Sequence, residues 1–341
     1  MINQQILKQN IGIDISKDAF DAYLVALTKE LDIVSIGGRR FKNTDKGIEE
    51  FVKWAEKKAN PAVELEFTME STGVYYENLA YTLFEEGYIV HVVLPNLAKK
   101  YIESLGLRSK TDKLDAKALG QMGVERKLSV WHPASKNIRI LKVLTRERTK
   151  RQKEKTVVKN QLHALKHSKD RPASSIQRLT ELINFLEQLI TDIDKEIKQL
   201  ITEDEVLNLK VQNIISTPGL GITTAASVIA ETNGFAGFNN IKQLQSFAGY
   251  DIKIRESGKW KGKSKISKKG NSYIRYALYF PAYTIIRKSP HYKTFYDRLL
   301  DKKGESLIAA TAVQRKLLGL IYTLWKKDVC FDPDIESKQA A

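Results

Sequence analysis

The sequence predicts an α/β domain at the N-terminus and a mostly helical remainder. Over residues 1–130, strand patterns with a period of two mix with helical patterns. From residue 136 onward, the helical spacing of apolar residues dominates. The chain has 341 residues, of which 42% are hydrophobic and 28% charged, so it can bury a sizeable core in two or three domains.

The N-terminal elements come in an order that narrows the fold. The patterns predict three strands, then a helix, a strand, a helix, a strand and a helix, at residues 11–16, 20–27, 31–36, 45–58, 63–70, 75–87, 88–95 and 112–125. We expect Gly87 to end the second helix. Three strands that lead into alternating helices and strands match the ribonuclease-H-like arrangement. A nucleotide-cofactor fold is disfavoured, because no glycine-rich phosphate loop follows the first strand.

Residues 136–202 predict two long helices, of which the first is strongly basic and ends before Pro172. Apolar residues of the second helix recur at spacings of three and four, which is a coiled-coil pattern. These residues are Leu179, Leu182, Leu186, Leu189 and Ile193. The short seam fits an intramolecular hairpin and a dimer contact equally well. It makes residues 131–204 a helical coiled-coil linker between a domain at 1–130 and a domain at 205–335.

The region from residue 205 to residue 330 predicts further helices. Its stretch 216–231 resembles the second half of a helix-hairpin-helix element. Gly219 and Gly221 permit a tight turn whose backbone amides, at a helix N-terminus, can bind a phosphate. A simple turn between two helices is the plainer alternative.

Positive charge is concentrated in two segments of the chain. The 56 Lys and Arg residues exceed the 40 Asp and Glu residues and give a net charge of +16. Residues 136–169 hold 12 basic against 2 acidic residues, and residues 253–275 hold 9 against 1. Charge concentrated in this way indicates surfaces that follow a phosphate backbone, so we expect a nucleic-acid partner.

Other bulk features predict a cytoplasmic protein. No run of about 18 apolar residues predicts a membrane span. The N-terminal residues lack the apolar centre of a secretory signal. The single cysteine, Cys330, excludes an intramolecular disulfide and a cysteine-based zinc cluster, and it fits a reducing compartment.

Four carboxylates fall where the predicted fold brings chain segments together. Asp14 lies on the polar face of the first strand, and Glu70 ends the fourth strand. Asp112 and Asp115 begin the last helix of the domain. Strands one and four are neighbours in a ribonuclease-H-like sheet, so we expect these carboxylates to converge. Four oxygen donors suit Mg²⁺ or Mn²⁺, and two such ions about 4 Å apart would clamp both oxygens of a phosphodiester displacement.

Each of these residues also has a plainer interpretation when it is taken alone. An aspartate in a strand is often a structural hydrogen-bond acceptor, and charges spaced along a helix usually face water. Their joint placement favours a metal site, because a cation relieves the repulsion among clustered carboxylates. His163 and His167 have the spacing of a zinc pair on a helix, but no third ligand lies nearby in the sequence.

Six motifs occur in order along the chain: GIDISK, MESTGVYYE, LRSKTDKLDAKALG, STPGLGITTAASVIAE, QLQSFAGY and SKKGNSYIRYALY. As an ordered set they resemble the DEDD-type transposases, or recombinases, of the bridge-RNA-guided bacterial insertion sequences. The resemblance extends from about residue 10 to residue 330. It implies a RuvC-like N-terminal domain, a helical coiled-coil linker and a C-terminal transposase domain.

The resemblance also implies which residues carry the chemistry. The four acidic residues of the family fall on Asp14, Glu70, Asp112 and Asp115, and its catalytic serine falls on Ser257 within RESGKWKGKSK. The residue pattern alone does not single out Ser257, because other serines lie in the same basic stretch. A serine hydroxyl that attacks a DNA phosphate would form a phosphoserine link, which conserves bond energy for rejoining.

The partners that the family implies are donor and target DNA, a noncoding bridge RNA that pairs with both, and further copies of the chain, as a dimer that assembles into a tetramer at the bacterial nucleoid. Two alternatives stay open: a RuvC-like Holliday-junction nuclease that uses water, and a non-catalytic nucleic-acid-binding scaffold. The expected nucleic-acid contacts are Lys110, Lys113, Arg146, Arg148, Lys150, Arg151, Gly219, Gly221, Lys253, Arg255, Lys259, Lys261, Lys263, Lys265, Lys268 and Lys269.

Overall fold

The computed structural model describes residues 5–71, 73–253, 256–257, 260–261 and 265–333, and the side chains within 253–265 lie outside this description. Two compact units make up the chain, Met1–Pro133 and Ala134–Ala341. The predicted third boundary, at residue 205, stays a prediction.

A five-stranded mixed sheet forms the centre of the first unit. Its strands are β1 (Ile6–Ile15), β2 (Ala19–Thr28), β3 (Ile33–Lys42), β4 (Leu65–Glu70) and β5 (Ile89–Val93). They lie in the order β3-β2-β1-β4-β5. The first three strands pair antiparallel, whereas β4 and β5 run parallel to β1. The predicted adjacency of the first and fourth strands is confirmed, and the order fits the ribonuclease-H-like arrangement.

Helices cover the sheet of the first unit. They are α1 (Asp45–Lys58), α2 (Glu77–Glu85), α3 (Pro95–Ser104) and α4 (Asp112–Glu125). The bounds of α1 and α4 agree with the prediction, and each helix begins after a threonine whose hydroxyl accepts a backbone hydrogen bond, Thr44 and Thr111. Gly87 has a φ of 88°, the left-handed conformation expected after the end of α2. The sequence did not predict α3, which begins directly at Pro95.

The core of the first unit lies on the sheet face that carries the alternating isoleucines of β1. Ile11 and Ile13 are fully buried there, against Phe20, Phe51 and Phe67. Aromatic rings pack edge to face in this layer, with 5.2 Å between the ring centres of Phe20 and Phe51. The opposite face of β1 and β2 is covered by α4. The sheet is therefore covered on both faces along β1.

The second unit is mostly helical, as predicted. Its helices are α5 (Lys136–His167), α6 (Ala173–Glu203), α7 (Glu205–Ile215), α8 (Ile222–Glu231), α9 (Ile241–Phe247), α10 (Ser272–Ala277), α11 (Tyr279–Lys288), α12 (Pro290–Lys303) and α13 (Ser306–Lys327). Two short antiparallel pairs stand between α9 and α10. They are β6 (Ile252–Lys253) with β9 (Lys265–Ile266), and β7 (Glu256–Ser257) with β8 (Trp260–Lys261).

The buried row of α6 is shifted from the predicted seam. Leu182 is 43% exposed, and Leu189 is only partly buried, so both assignments were wrong. The reason is that isoleucines, and not leucines alone, keep the spacing of three and four along the whole helix. The buried residues are Ile183, Leu186, Ile190, Ile193, Ile197 and Ile201. This row packs α6 against α5 as an intramolecular hairpin, and the dimer contact stays a prediction.

Helix α13 runs through the core of the second unit. By length and composition it could cross a membrane, but 61% of its apolar window is buried inside the protein. Val313, Leu317, Ile321 and Leu324 are fully buried. This is the pattern of a central helix in a folded domain.

Candidate functional site

Asp14 and Glu70 lie on two neighbouring strands, at the same end of the sheet. β1 and β4 are parallel neighbours, with Ile13 opposite Met69 as their last recorded pair. Asp14 and Glu70 are the next residue on each strand. Because side chains alternate along a strand, both carboxylates leave the sheet on the face opposite to the buried Ile13 and Met69. That face is the one covered by α4.

Helix α4 lies directly on β1 through two glycines. A β-carbon at Gly12 would overlap the backbone of Ala116 and Gly120, and a β-carbon at Gly120 would lie 3.0 Å from the Gly12 nitrogen. Gly123, further along the helix, lies against Asn10, so α4 runs opposite to β1. The first turn of α4, which carries Asp112 and Asp115, is therefore set beside the end of β1 at Asp14.

The gathered carboxylates raise the pKa of Asp14. Burial is the largest cause, and the charges of Asp112, Asp115 and Glu70 add to it in that order, so the pKa rises from 3.8 to about 6. Burial also raises the pKa of Asp115, which the Lys110 ammonium lowers and Asp112 raises further. The site therefore holds more negative charge than its own cations compensate.

Two charged residues of the site were missed by the sequence reasoning. Asp21 lies opposite Asp14 across the β1–β2 pair, and its charge also raises the pKa of Asp14. The Arg40 guanidinium lies 3.0 Å from the Asp21 carboxylate and 3.5 Å from that of Asp112. Burial raises the pKa of Asp21, while Arg40 and then Lys113 oppose this rise. A hairpin register drawn through residues 16–18 would have placed Asp21 beside Asp14.

The donor set fits a hard divalent cation in chemistry and charge. All the carboxylates that act on Asp14 are oxygen donors, and a cation would relieve the repulsion that raises its pKa. Among the residues that the structure describes, no group of three or more His, Cys, Asp or Glu side chains stands in metal-holding geometry. The Asp112 side chain is 63% exposed, and its carboxylate forms an ion pair with Arg40. The carboxylates are thus gathered electrostatically without forming a ready coordination sphere.

Ser257 lies in β7, opposite Trp260 of β8. Its side chain is outside the described part of the chain. So are the side chains of six expected contacts, namely Lys253, Arg255, Lys259, Lys261, Lys263 and Lys265. We call residues 252–266 the serine segment. Its two described ends pair with each other, Ile252 with Ile266.

The serine segment starts and ends next to the N-terminus of α10. Ser267 donates its backbone N–H to the Asp251 carbonyl at 2.6 Å, and Asn271 donates to the Phe247 carbonyl at 2.7 Å. Asn271 is also the N-cap of α10. Lys268 and Lys269, two of the expected contacts, lie in this connection and are exposed.

The arginines of α5 that were expected to contact nucleic acid are paired with carboxylates. Arg146 donates two hydrogen bonds to Glu231, at 2.6 and 2.9 Å. The other two pairs are Arg148 with Asp194 at 2.5 Å and Arg151 with Glu154 at 2.6 Å. Periodicity on one helix does not reveal these partners, because two of them come from α6 and α8. Lys150 is exposed.

Gly219 and Gly221 form the turn between α7 and α8. Gly219 has a φ of 95°, and a β-carbon there would meet Thr284 at 3.1 Å. Gly221 is the N-cap of α8, and a β-carbon there would meet open space. The structure therefore shows a helix–turn–helix pair, and the phosphate contact of this turn stays a prediction.

His163 and His167 contact each other on α5. Their ring centres are 4.3 Å apart, and Nδ1 of His167 lies 2.8 Å from the His163 carbonyl oxygen. No metal-holding group includes them among the described residues.

Two segments of the chain match models of known protein families. Residues 11–167 match DEDD_Tnp_IS110, described as a transposase. Residues 211–297 match a domain described as "Transposase IS116/IS110/IS902 family". Both segments of the chain are thus similar to transposase domains of the IS110/IS116 family. The first match spans the four predicted carboxylates, and the second spans Ser257.

Several proteins resemble the chain in sequence or structure. The pilin gene-inverting protein of Moraxella bovis is 28% identical over 331 residues, which are 96% of this chain and 99% of that protein. The transposase for insertion sequence element IS1111A of Coxiella burnetii is 29% identical over 42% of this chain and 39% of its own length. The structure of Thermus thermophilus RuvC aligns with 36% of this chain and 99% of its own, at 15% identity and a TM-score of 0.29.

Proposed function

We propose that this protein is a DNA transposase that cuts and rejoins DNA strands to excise and insert its own element. The observation that carries the proposal is the carboxylate group around Asp14, set by β1, β4 and α4 within a transposase domain. An isolated structural aspartate would not gather three further carboxylates of the same family motif. Four oxygen donors gathered at one end of the sheet suit phosphodiester chemistry once a cation draws them together.

The carboxylates of Asp14, Glu70, Asp112 and Asp115 would hold Mg²⁺ or Mn²⁺, as one ion or as a pair. The bound cation would act as a Lewis acid toward the phosphate oxygens. The chain itself supplies the anionic donors and, through the contact of α4 with β1, their placement. Lys110 is an exposed cation that acts electrostatically on Asp115, and its proposed role is to contact a DNA phosphate beside this site.

The proposed nucleophile is the hydroxyl of Ser257. Its oxygen attacks a DNA phosphorus, so one Oγ–P bond forms while one P–O bond of the DNA backbone breaks. The hydroxyl proton leaves the serine, and the departing deoxyribose oxygen takes up a proton. The number of phosphoester bonds is unchanged, so the reverse attack by a DNA hydroxyl can rejoin strands without another energy source. A nuclease that uses water would instead release the energy of the bond.

Guidance by a noncoding bridge RNA is part of the proposal. The RNA would pair with donor and target DNA, so that base pairing selects sequence while the protein contacts backbone and shape. The basic segments 136–169 and 253–275 are the surfaces proposed for these nucleic acids. The proposed assembly is a dimer that forms a tetramer, in the bacterial cytoplasm at the nucleoid.

Inversion of a DNA segment is a second outcome of the same proposed chemistry. A relative from Moraxella bovis that aligns over 99% of its length is named a pilin gene-inverting protein. Cutting and rejoining at two sites inverts the DNA between them when the ends are exchanged, and it excises that DNA in the other arrangement. The proposal therefore specifies how strands are cut and rejoined. Whether the DNA is inverted or excised depends on how the two cut sites are arranged.

The test uses a plasmid that carries the element with its native flanks, together with Ser257→Ala, Asp14→Asn and the control Ser272→Ala. We expect wild type and Ser272→Ala to yield rejoined product and a covalent protein–DNA adduct in Mg²⁺. Ser257→Ala and Asp14→Asn should yield neither. Cleavage that survives in Ser257→Ala would replace the recombinase by a nuclease. Nucleic-acid binding without strand cleavage in wild type, unchanged by Asp14→Asn and by a chelator, would leave only a binding scaffold. Deletion of the noncoding flank tests the RNA.

A further inference from the structure

A basic cavity opens between α5 and α10 in the second unit. Its volume is about 370 Å³. Four cationic side chains and one carboxylate line it, together with a threonine and a tyrosine: Arg146, Lys150, Arg151, Lys153, Glu147, Thr149 and Tyr273. Glu231 and Glu154 compensate the two arginines, so the positive charge open to a ligand is that of Lys150 and Lys153, which suits an anionic ligand such as a phosphodiester.

One side of the cavity is held rigidly by a buried carboxylate. Glu231 has a side chain that is 1% exposed, and it accepts two hydrogen bonds from Arg146 and one from Asn271 at 2.6 Å. The Arg146 guanidinium also lies 4.8 Å from the centre of the Tyr273 ring. These contacts join α5, α8 and the first turn of α10. The cavity wall is therefore fixed before any ligand arrives.

Exposed aromatic rings continue from the cavity along α10 and α11. Tyr276 is 38% exposed, and Phe280 is 71% exposed. Tyr273 and Tyr276 are three residues apart in α10, which places their side chains on one face of that helix, and Phe280 lies in the first turn of α11. The Lys153 ammonium lies 5.9 Å from the Tyr273 ring and 5.2 Å from the Tyr276 ring. The Lys153 ammonium and the two tyrosine rings thus lie together on one surface, and Phe280 follows four residues after Tyr276.

Interleaved cations and exposed rings are the pattern by which proteins bind unpaired strands. The cations follow the backbone phosphates, and successive bases stack on the rings. Duplex nucleic acid cannot use such rings, because its bases are already stacked on one another.

The position of this surface favours DNA as the strand. The serine segment starts and ends beside the N-cap of α10, Asn271, and Tyr273 is two residues beyond that cap. Under the proposed function, the strand that Ser257 cuts is DNA. The unpaired strand that reaches the surface is then the DNA next to the cut phosphate.

We infer that the α5–α10 cavity and the rings of Tyr276 and Phe280 form a binding site for unpaired DNA next to the cleaved position. This inference rests on the proposed function for the identity of the strand. In it, Lys150 and Lys153 contact phosphates, and the two rings stack on bases.

The test measures fluorescence anisotropy of the full-length protein with labelled oligothymidylate of about 20 nucleotides. We expect the double variant Tyr276→Ala, Phe280→Ala to bind this strand at least about 30-fold more weakly. It should bind duplex DNA within about twofold of wild type, since a duplex does not use the rings. The double variant Lys150→Ala, Lys153→Ala should lower the slope of log Kd against log salt by about 1.4, which corresponds to two phosphates.

Matched controls keep the result specific. Phe84→Ala removes a ring that is 37% exposed in the first unit, and Lys302→Ala removes an exposed cation of α12. Both should bind the single strand as wild type does. Tyr276→Phe should also retain binding, because it keeps the ring and loses only the hydroxyl. Circular dichroism of each variant verifies the fold.

Three results would overturn the inference. The first is single-strand affinity of the ring variants equal to that of the controls, and the second is a loss in Tyr276→Phe as large as in the alanine variant. The third is a loss confined to RNA of the same length, which would assign the surface to the RNA. Adduct formation at Ser257 is measured separately. Its absence in wild type would overturn the proposed function alone, whereas normal adduct formation with unchanged strand binding would overturn only this inference.

Discussion

The raised pKa of Asp14 predicts that removing its charge stabilises the metal-free protein. The perturbation is Asp14→Asn, which keeps the shape of the side chain. In the folded protein the neutral form of Asp14 is favoured by burial and by the neighbouring carboxylates. The ionised carboxylate is therefore a cost of folding at neutral pH, and the amide does not carry that cost.

The magnitude follows from the shift of the pKa from 3.8 to about 6. Two units correspond to about 3 kcal/mol at a fully buried site. Because Asp14 is only partly buried, solvent screening reduces this to about 1–2 kcal/mol. The melting temperature of the first unit should then rise by about 3–6 °C.

The sign of the pH dependence is fixed by the direction of the shift. A carboxyl group with a raised pKa in the folded state destabilises the fold increasingly as pH rises through about 4 to 6. The gain of Asp14→Asn in a chelator should therefore be complete at about pH 7.5 and vanish near about pH 4. Added Mg²⁺ should stabilise wild type more than Asp14→Asn, because the cation needs the carboxylate.

Asp18→Asn is the matched control, since it removes the same charge from an exposed side chain four residues away. Its melting temperature in a chelator should stay within about 1 °C of wild type. Calorimetry or circular dichroism across pH gives the comparison. A loss of stability in Asp14→Asn at neutral pH, or a gain that persists at acid pH, would refute the electrostatic reasoning.

Three further changes test the packing that carries the sites, each by urea unfolding. Gly12→Ala should destabilise the first unit by about 3 kcal/mol or more, because its β-carbon overlaps the backbone of α4, whereas Gly221→Ala, whose β-carbon meets open space, should not. Glu231→Ala should cost about 2 kcal/mol, because two donors lose a buried acceptor, and an unchanged midpoint would contradict this. Arg148→Ala should cost less than about 1 kcal/mol, because its pair with Asp194 is partly exposed; a larger loss would show that the pair holds α5 to α6.

Elements with a strong local pattern could be predicted from the sequence. The bounds of α1 and α4 agree with the structure; each helix has a threonine cap, and α1 also has a regular apolar spacing. The adjacency of β1 and β4 also followed, since the order of strands and helices limits how the sheet can be connected. These two facts were enough to predict that Asp14 lies close to Asp112 and Asp115.

Features that depend on the other side of a contact were not predictable in this way. The leucine pattern of α6 placed Leu182 in a seam, whereas the longer row that includes Ile183 is the buried one. The charge pattern of α5 predicted that Arg146 and Arg148 contact nucleic acid. In the structure, Glu231 and Asp194 accept their hydrogen bonds. In each case the deciding residues lie elsewhere in the chain or have a different residue type from the one counted.

The packing of α4 on β1 explains why the acidic residues of the first unit stay close together despite their repulsion. Asp112 and Asp115 occupy the first turn of α4, where the helix dipole stabilises negative charge by about 0.3–1 kcal/mol each. Their repulsion with Asp14 opposes this. At Gly12 and Gly120 the helix and strand touch through backbone, so α4 cannot withdraw along this contact without losing its packing. The packing of the core therefore keeps the carboxylates together against their repulsion, and a cation that binds them would remove that repulsion. The variant Asp14→Asn lacks this repulsion, so its metal-free form is more stable than wild type. It also lacks a metal-binding carboxylate, so it binds the metal more weakly.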